Sequence, residues 1–144
     1  MLALFRKIVK EANHVANGEW VRVTGNEIMG KKIAIIGLGR IGKEVAIRAH
    51  AFGMKIVGFD LYWDEDFAQK YEVERCESAE AAMNRADIIS LHTNLSDETR
   101  DMINQESIGK MKKGVVILNC ARGEIVNTED IVSALHSGSV GGYG

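Results

Sequence analysis

The segment Gly37-Leu38-Gly39-Arg40-Ile41-Gly42 places three glycines at the spacing that lets a backbone wrap a diphosphate. Gly37 permits a tight turn and Gly39 lets the main chain approach a pyrophosphate. Gly42 allows a following helix to pack closely on the preceding strand. The amides of Arg40 and Ile41 then stand at a helix N-terminus, where unpaired donors and the helix dipole favour an anion. Asp60, about 20 residues further on, offers a carboxylate to the hydroxyls of an adenosine ribose and repels a 2′-phosphate. Leu61, Tyr62 and Trp63 follow it rather than an arginine, so the pattern favours NAD over NADP. A methyltransferase binding S-adenosylmethionine uses a similar loop and acid, and on these residues alone it stays an alternative.

A second reactive stretch is Asn119-Cys120-Ala121-Arg122-Gly123. It follows an apolar run that reads as a strand, so Arg122 is expected at the carboxyl edge of a sheet, where ligands of doubly wound folds bind. A guanidinium there presents a planar, permanently charged fork to a carboxylate and can polarise a neighbouring carbonyl. A surface arginine in a turn is the plainer reading. Cys120 itself reads as a small buried residue.

The elements that must position these groups follow from periodicity. Residues 2–16 predict one amphipathic helix, with Leu4, Ile8, Ala12 and Val15 at helical spacing, ended by Asn17-Gly18. The mixed stretch 19–32 predicts turns or a short exposed strand. Short apolar runs predict strands at 33–36, 55–59, 87–91 and 114–118, with a fifth starting at Val140. Helices are expected at 41–52, with Ile41, Val45, Ala46, Ala49 and Phe52 on the buried stripe, and at 64–70, 77–85 and 128–136. Strands alternating with helices imply right-handed crossovers. The fold class is therefore α/β, a doubly wound parallel sheet of Rossmann type, in one domain.

Composition narrows the function. The chain of 144 residues is 46% hydrophobic and 26% charged, enough apolar material for a real core. Formal charge is −2 with no basic stripe, which argues against nucleic-acid binding. No apolar run approaches the roughly 20 residues that cross a bilayer, so no membrane partner is expected. The two cysteines, Cys76 and Cys120, have no metal-ligand spacing and no partner pattern, which fits a reducing cytoplasm. Lys110, Lys112 and Lys113 read as a solvated patch. The glycine-rich end, Gly141-Gly142-Tyr143-Gly144, looks like a strand interrupted, so the chain is expected to be a piece of a longer protein.

Taken together, Gly37–Gly42, Asp60, Leu91-His92-Thr93, Thr99-Arg100 and the run Met111–Val126 resemble the D-isomer-specific 2-hydroxyacid dehydrogenases over essentially the whole chain. Within that family, Asn119–Gly123 and Ala51-Phe52-Gly53-Met54 look most like the phosphoglycerate dehydrogenase branch. The resemblance implies an NAD-binding domain over residues 1–144, lacking the substrate domain and the last strand and helix. It implies cofactor binding by Gly37, Gly39, Arg40, Ile41 and Gly42, with Arg40 and Ile41 holding the pyrophosphate and Asp60 the adenosine ribose. His92 and Thr93 would line the adenine side, and Cys120 and Ala121 would border the nicotinamide ribose. Arg122 would be the catalytic arginine that orients a 2-hydroxy or 2-keto acid. No metal is implied, and a homodimer in which the opening helix takes part is expected.

Two departures accompany the resemblance. Asn94 stands where the family usually has proline, so a looser loop is expected after Thr93. The family's proton-transfer histidine and its orienting glutamate are expected beyond Gly144. Of the four histidines present, His14, His50 and His136 are expected away from the ligand edge, and the resemblance puts His92 beside the adenine. This chain alone is therefore expected to bind cofactor without turnover. The same fold and motifs also serve NAD-sensing corepressors, a binding module rather than an enzyme.

Overall fold

The computed structural model describes all residues 1–144. Its elements run α1 (Leu2–Phe5), α2 (Ile8–Ala16), β1 (Lys32–Ile36), α3 (Arg40–Ala51), β2 (Lys55–Phe59), α4 (Glu65–Lys70) and β3 (Val73–Arg75). They continue with α5 (Ala79–Asn84), β4 (Ile88–Leu91), α6 (Gln105–Lys110), β5 (Val115–Asn119), α7 (Thr128–Ser137) and β6 (Val140–Tyr143). The six strands pair in parallel in the order β3-β2-β1-β4-β5-β6. The order reverses between β1 and β4, and that reversal opens a crevice at the carboxyl ends of the strands.

Alternation along each strand feeds two cores. Ile33 and Ile35 of β1 face one side with Ile56, Ile88 and the α3 residues Ala46 and Ala49. Ala34 and Ile36 face the other with Val57, Ile89, Leu91 and residues of α5, α6 and α7. Because both faces are covered, these strands read as continuous apolar runs rather than alternating ones. No helix is long and apolar enough to cross a membrane.

Several expectations need correction. The opening helix is two helices, broken where Lys7 adopts a left-handed conformation with φ 52°. Of the two alternatives for the stretch before β1, the turn is the one found, at residues 29–30, and no strand forms there. Strand β3 and helix α6 were not expected: β3 has three residues, of which only Val73 is buried, and α6 has six, of which only Ile108 is. Neither is long enough to show a period. On α3, Ala46 and Ala49 are buried as expected, whereas Ile41 is 64% exposed and Phe52 45%. Cys120 is exposed and Cys76 is the buried cysteine; neither is paired.

Candidate functional site

The loops that leave β1, β2, β4 and β5 meet at the carboxyl edge, and they carry Gly37, Gly39, Asp60, His92, Thr93, Cys120, Ala121 and Arg122, with Arg40, Ile41 and Gly42 opening α3 beside them. Gly37 ends β1 with φ +94°, and a Cβ there would lie 2.7 Å from the carbonyl oxygen of His92. The turn after β1 is thus pressed against the turn after β4, and only glycine fits between them. Gly42 is fixed just as firmly, since a Cβ on it would fall 1.9 Å from the Gly37 carbonyl oxygen. Gly39 differs. It caps α3 in an extended conformation, and a Cβ built on it would meet no protein atom within 4 Å.

Neither backbone strain nor protein packing therefore calls for glycine at position 39. The free space lies over the start of α3, which no side chain caps. Its first-turn amides are donors left over for an anion. Arg40 and Ile41 are exposed there. The residues present thus fit a diphosphate that approaches the main chain closely.

Asp60 closes the second side. Its Oδ2 accepts from the Leu38 amide at 2.5 Å and its Oδ1 from the Tyr62 amide at 2.8 Å. Each oxygen keeps a lone pair, so the fixed carboxylate can still accept from two neighbouring hydroxyls. Leu38 is itself buried and packs on Gly58 of β2, where a Cβ would lie 2.7 Å from its Cδ1. Tyr62 is exposed, while Trp63 lies beneath the guanidinium of Arg75, 5.3 Å from the ring centre. Leu38 and Gly58 are the contributors that the motif alone did not single out. A glycine inside a strand pattern was the available signal.

Beyond β4, the His92 ring shares a 2.8 Å hydrogen bond between Nε2 and the hydroxyl of the buried Ser90. Burial pulls its pKa below the ordinary histidine value. Thr93 follows, half-buried. The turn after Asn94 is tied rather than loose: the Thr99 hydroxyl donates to the Asn94 carbonyl at 2.7 Å and accepts from the Ser96 amide at 2.8 Å.

Beyond β5, Asn119 organises the reactive loop. Its Oδ1 accepts from the Ala121 amide at 3.0 Å and its Nδ2 donates to the Arg122 carbonyl at 2.8 Å. The Arg122 guanidinium, exposed, donates one bond back to the Ala121 carbonyl at 2.8 Å. No carboxylate neutralises it, so most of its fork is free for an anion. The other histidines sit on α2, at the end of α3 and on α7, bound or close to surface carboxylates in the first two cases. No group of three or more His, Cys, Asp or Glu could hold a metal.

Known proteins place this geometry. Residues 1–144 match the profile of the D-isomer specific 2-hydroxyacid dehydrogenase NAD binding domain. The chain is 41% identical over 142 residues to D-3-phosphoglycerate dehydrogenase of Methanocaldococcus jannaschii, covering 97% of itself and 27% of that protein. It is 41% identical to hydroxypyruvate reductase of Thermotoga maritima, covering 97% of itself and 45% of that protein. In structure it superposes on the D-isomer specific 2-hydroxyacid dehydrogenase of Lactobacillus delbrueckii ssp. bulgaricus in its NAD-complexed form. That TM-score is 0.87 at 31% identity, covering 99% of this chain and 44% of the other. The chain thus spans between about a quarter and a half of the length of the relatives it matches. With a glycine loop shaped for a diphosphate, an anchored acid beside it and a profile match from end to end, the chain belongs to the D-isomer specific 2-hydroxyacid dehydrogenase family, as its NAD binding domain.

Proposed function

We propose that this domain serves an enzyme that moves a hydride between NAD and a D-2-hydroxy acid or its 2-keto partner, with 3-phosphoglycerate the favoured substrate. The observation that carries the reading is Gly39, a glycine with no reason inside the protein, beside an acid held ready by the loop it follows. The Arg40 and Ile41 amides bind the pyrophosphate, with Gly37 and Gly42 shaping the loop. Asp60 takes the adenosine ribose. His92 and Thr93 border the adenine side, and Cys120 and Ala121 the nicotinamide ribose. Bound NAD supplies the hydride acceptor. Arg122 orients the substrate carboxylate and polarises the carbonyl, a role for which its uncommitted, always-charged fork suits it.

Proton transfer belongs to a group other than the four histidines here. The His92 ring is bonded to Ser90 and follows β4 rather than the β5 loop that bears Arg122, and the others lie on helices away from that loop. The relatives named above are a dehydrogenase and a reductase of small acids, which favours an enzyme over an NAD-sensing corepressor-like module.

The same reading includes a homodimer. Helix α2 buries none of its residues, and Val9 and Val15 are 70% and 63% exposed on it. A second copy would cover that apolar surface. A cytoplasmic setting agrees with two unpaired cysteines.

A fluorescence titration with NADH and in parallel with NADPH tests the cofactor assignment. Much tighter binding of NADH supports it; equal binding of both, or preference for S-adenosylmethionine, overturns it.

A further inference from the structure

We infer a second binding site at the amino edge of the sheet, opposite the glycine loop, for a compact polyanion carrying two linked phosphate groups. A cavity of about 290 Å³ opens there, between the α1–α2 junction and the segments that lead into β1, β4 and β5. Four lysines line it: Lys7, Lys31, Lys112 and Lys113. One carboxylate, Asp87, faces them.

Asp87 is already committed. Its Oδ2 accepts from the Lys32 amide and its Oδ1 from the Lys112 ammonium, each at 2.8 Å. Lys7, Lys31 and Lys113 have no carboxylate within ion-pair reach. Lys7 and Lys113, which have no carboxylate partner, therefore share one concavity with Lys31, whose charge acts on Asp87 without touching it, and the inner wall is apolar, formed by Phe5, Val115 and Val116. Apolar walls focus the field of such charges, and bringing them together is unfavourable until an anion enters. Lysine ammonium groups are compact point charges that suit phosphate oxygens.

The backbone keeps the cavity open. Lys7 is brought to its rim by the left-handed break between α1 and α2. Gly141 and Gly114 touch so closely that a Cβ on Gly141 would lie 2.5 Å from the Gly114 carbonyl oxygen. Above Gly114 itself there is free space, with no protein atom within 4 Å of a Cβ placed there. The volume suits linked phosphates, whereas a duplex or a lipid surface has no means of entering it.

The site is separate from the cofactor loop, and the test keeps the two apart. The chain, with NADH in excess, is titrated with sodium pyrophosphate while backbone amide shifts are followed by NMR, with sulfate at matched ionic strength as the comparison. Saturable shifts centred on Lys31, Gly114 and Gly141 are expected, with affinity at least tenfold weaker in Lys31→Gln/Lys113→Gln. Lys7→Gln, on an exposed position, gives a milder loss should the double variant fold poorly. Shifts confined to residues 37–42, a response equal to that of sulfate, or unchanged affinity in the folded variants would overturn the assignment.

Discussion

The amide of Leu38 donates to Oδ2 of Asp60 at 2.5 Å, so the acid that ends β2 holds the loop that ends β1. On the function proposed above, Asp60 has a second duty, to a ribose, beside the one to the loop, and substitutions separate them. Asp60→Asn retains an oxygen for Leu38 but loses the charge and the acceptor for the Tyr62 amide, so NADH binding should weaken about tenfold while NADPH binding weakens less. Asp60→Ala loses both duties and should cost a further tenfold or so for NADH, each factor of ten being about 1.4 kcal/mol. Parallel titrations with the two cofactors check this, and an alanine variant no weaker than the asparagine one would refute the second duty.

The three loop glycines should not behave alike. Gly39→Ala introduces a methyl into free space, so the thermal midpoint should stay near that of the parent while NADH affinity drops at least tenfold. Gly42→Ala drives a methyl into the Gly37 carbonyl and should destabilise the domain by about 2 kcal/mol or more. Calorimetry beside NADH titration distinguishes them. Undiminished NADH binding by Gly39→Ala would sink the diphosphate assignment at that position.

Asn119 ties the loop that bears Arg122. Removing its side chain deletes the bonds to Ala121 and Arg122, so Asn119→Ala should cost about 1–2 kcal/mol. Amide exchange at Ala121 should quicken in that variant, whereas exchange in β1 should not.

In the homodimer proposed above, the exposed valines of α2 form the contact. Val9→Glu combined with Val15→Glu should shift the chain to monomer in sedimentation velocity at tens of micromolar, with the helical signal retained. A parent chain that is already monomeric there would remove the dimer proposal.

Acid should loosen the amino edge. Burial pushes the Asp87 carboxyl up, but the Lys112 hydrogen bond, the Lys32 amide and the charges of Lys112 and Lys31 together hold it below the ordinary aspartate value. A carboxylate whose folded pKa is depressed stabilises the fold above its unfolded value of about 3.9, and that stability is lost as pH falls through the folded pKa. Asp87→Asn should therefore lower stability by about 1 kcal/mol at pH 7 and flatten the decline below pH 4. Denaturant melts at pH 7 and pH 3 give the comparison; an equal decline in both proteins would refute the assignment.

Much of this was legible in the residues. Four apolar runs announced β1, β2, β4 and β5, because burial on both faces leaves no room for alternation. The glycine loop and Asp60 declared themselves by spacing. What stayed hidden depends on contacts between distant segments. The break at Lys7 has no glycine or proline to mark it. Helix α6 starts with Asn104 and Ser107 capping each other, a pairing that only a helix already formed makes visible. Ile41 lies on the apolar stripe by period, yet it emerges beside the loop because α3 begins there. The split roles of Gly37, Gly39 and Gly42 likewise depend on what lies opposite each one.

Leu38 has one more consequence, for the speed of capture. Its side chain is part of the interior beside Ile33 and Ile35, and it occupies the space that Gly58 leaves. The glycine loop cannot swing without pulling a core residue out of place. It is scaffold rather than lid, so docking here freezes few new degrees of freedom and waits for no gate. Encounter with the dinucleotide, not rearrangement of its cradle, should then set the association rate.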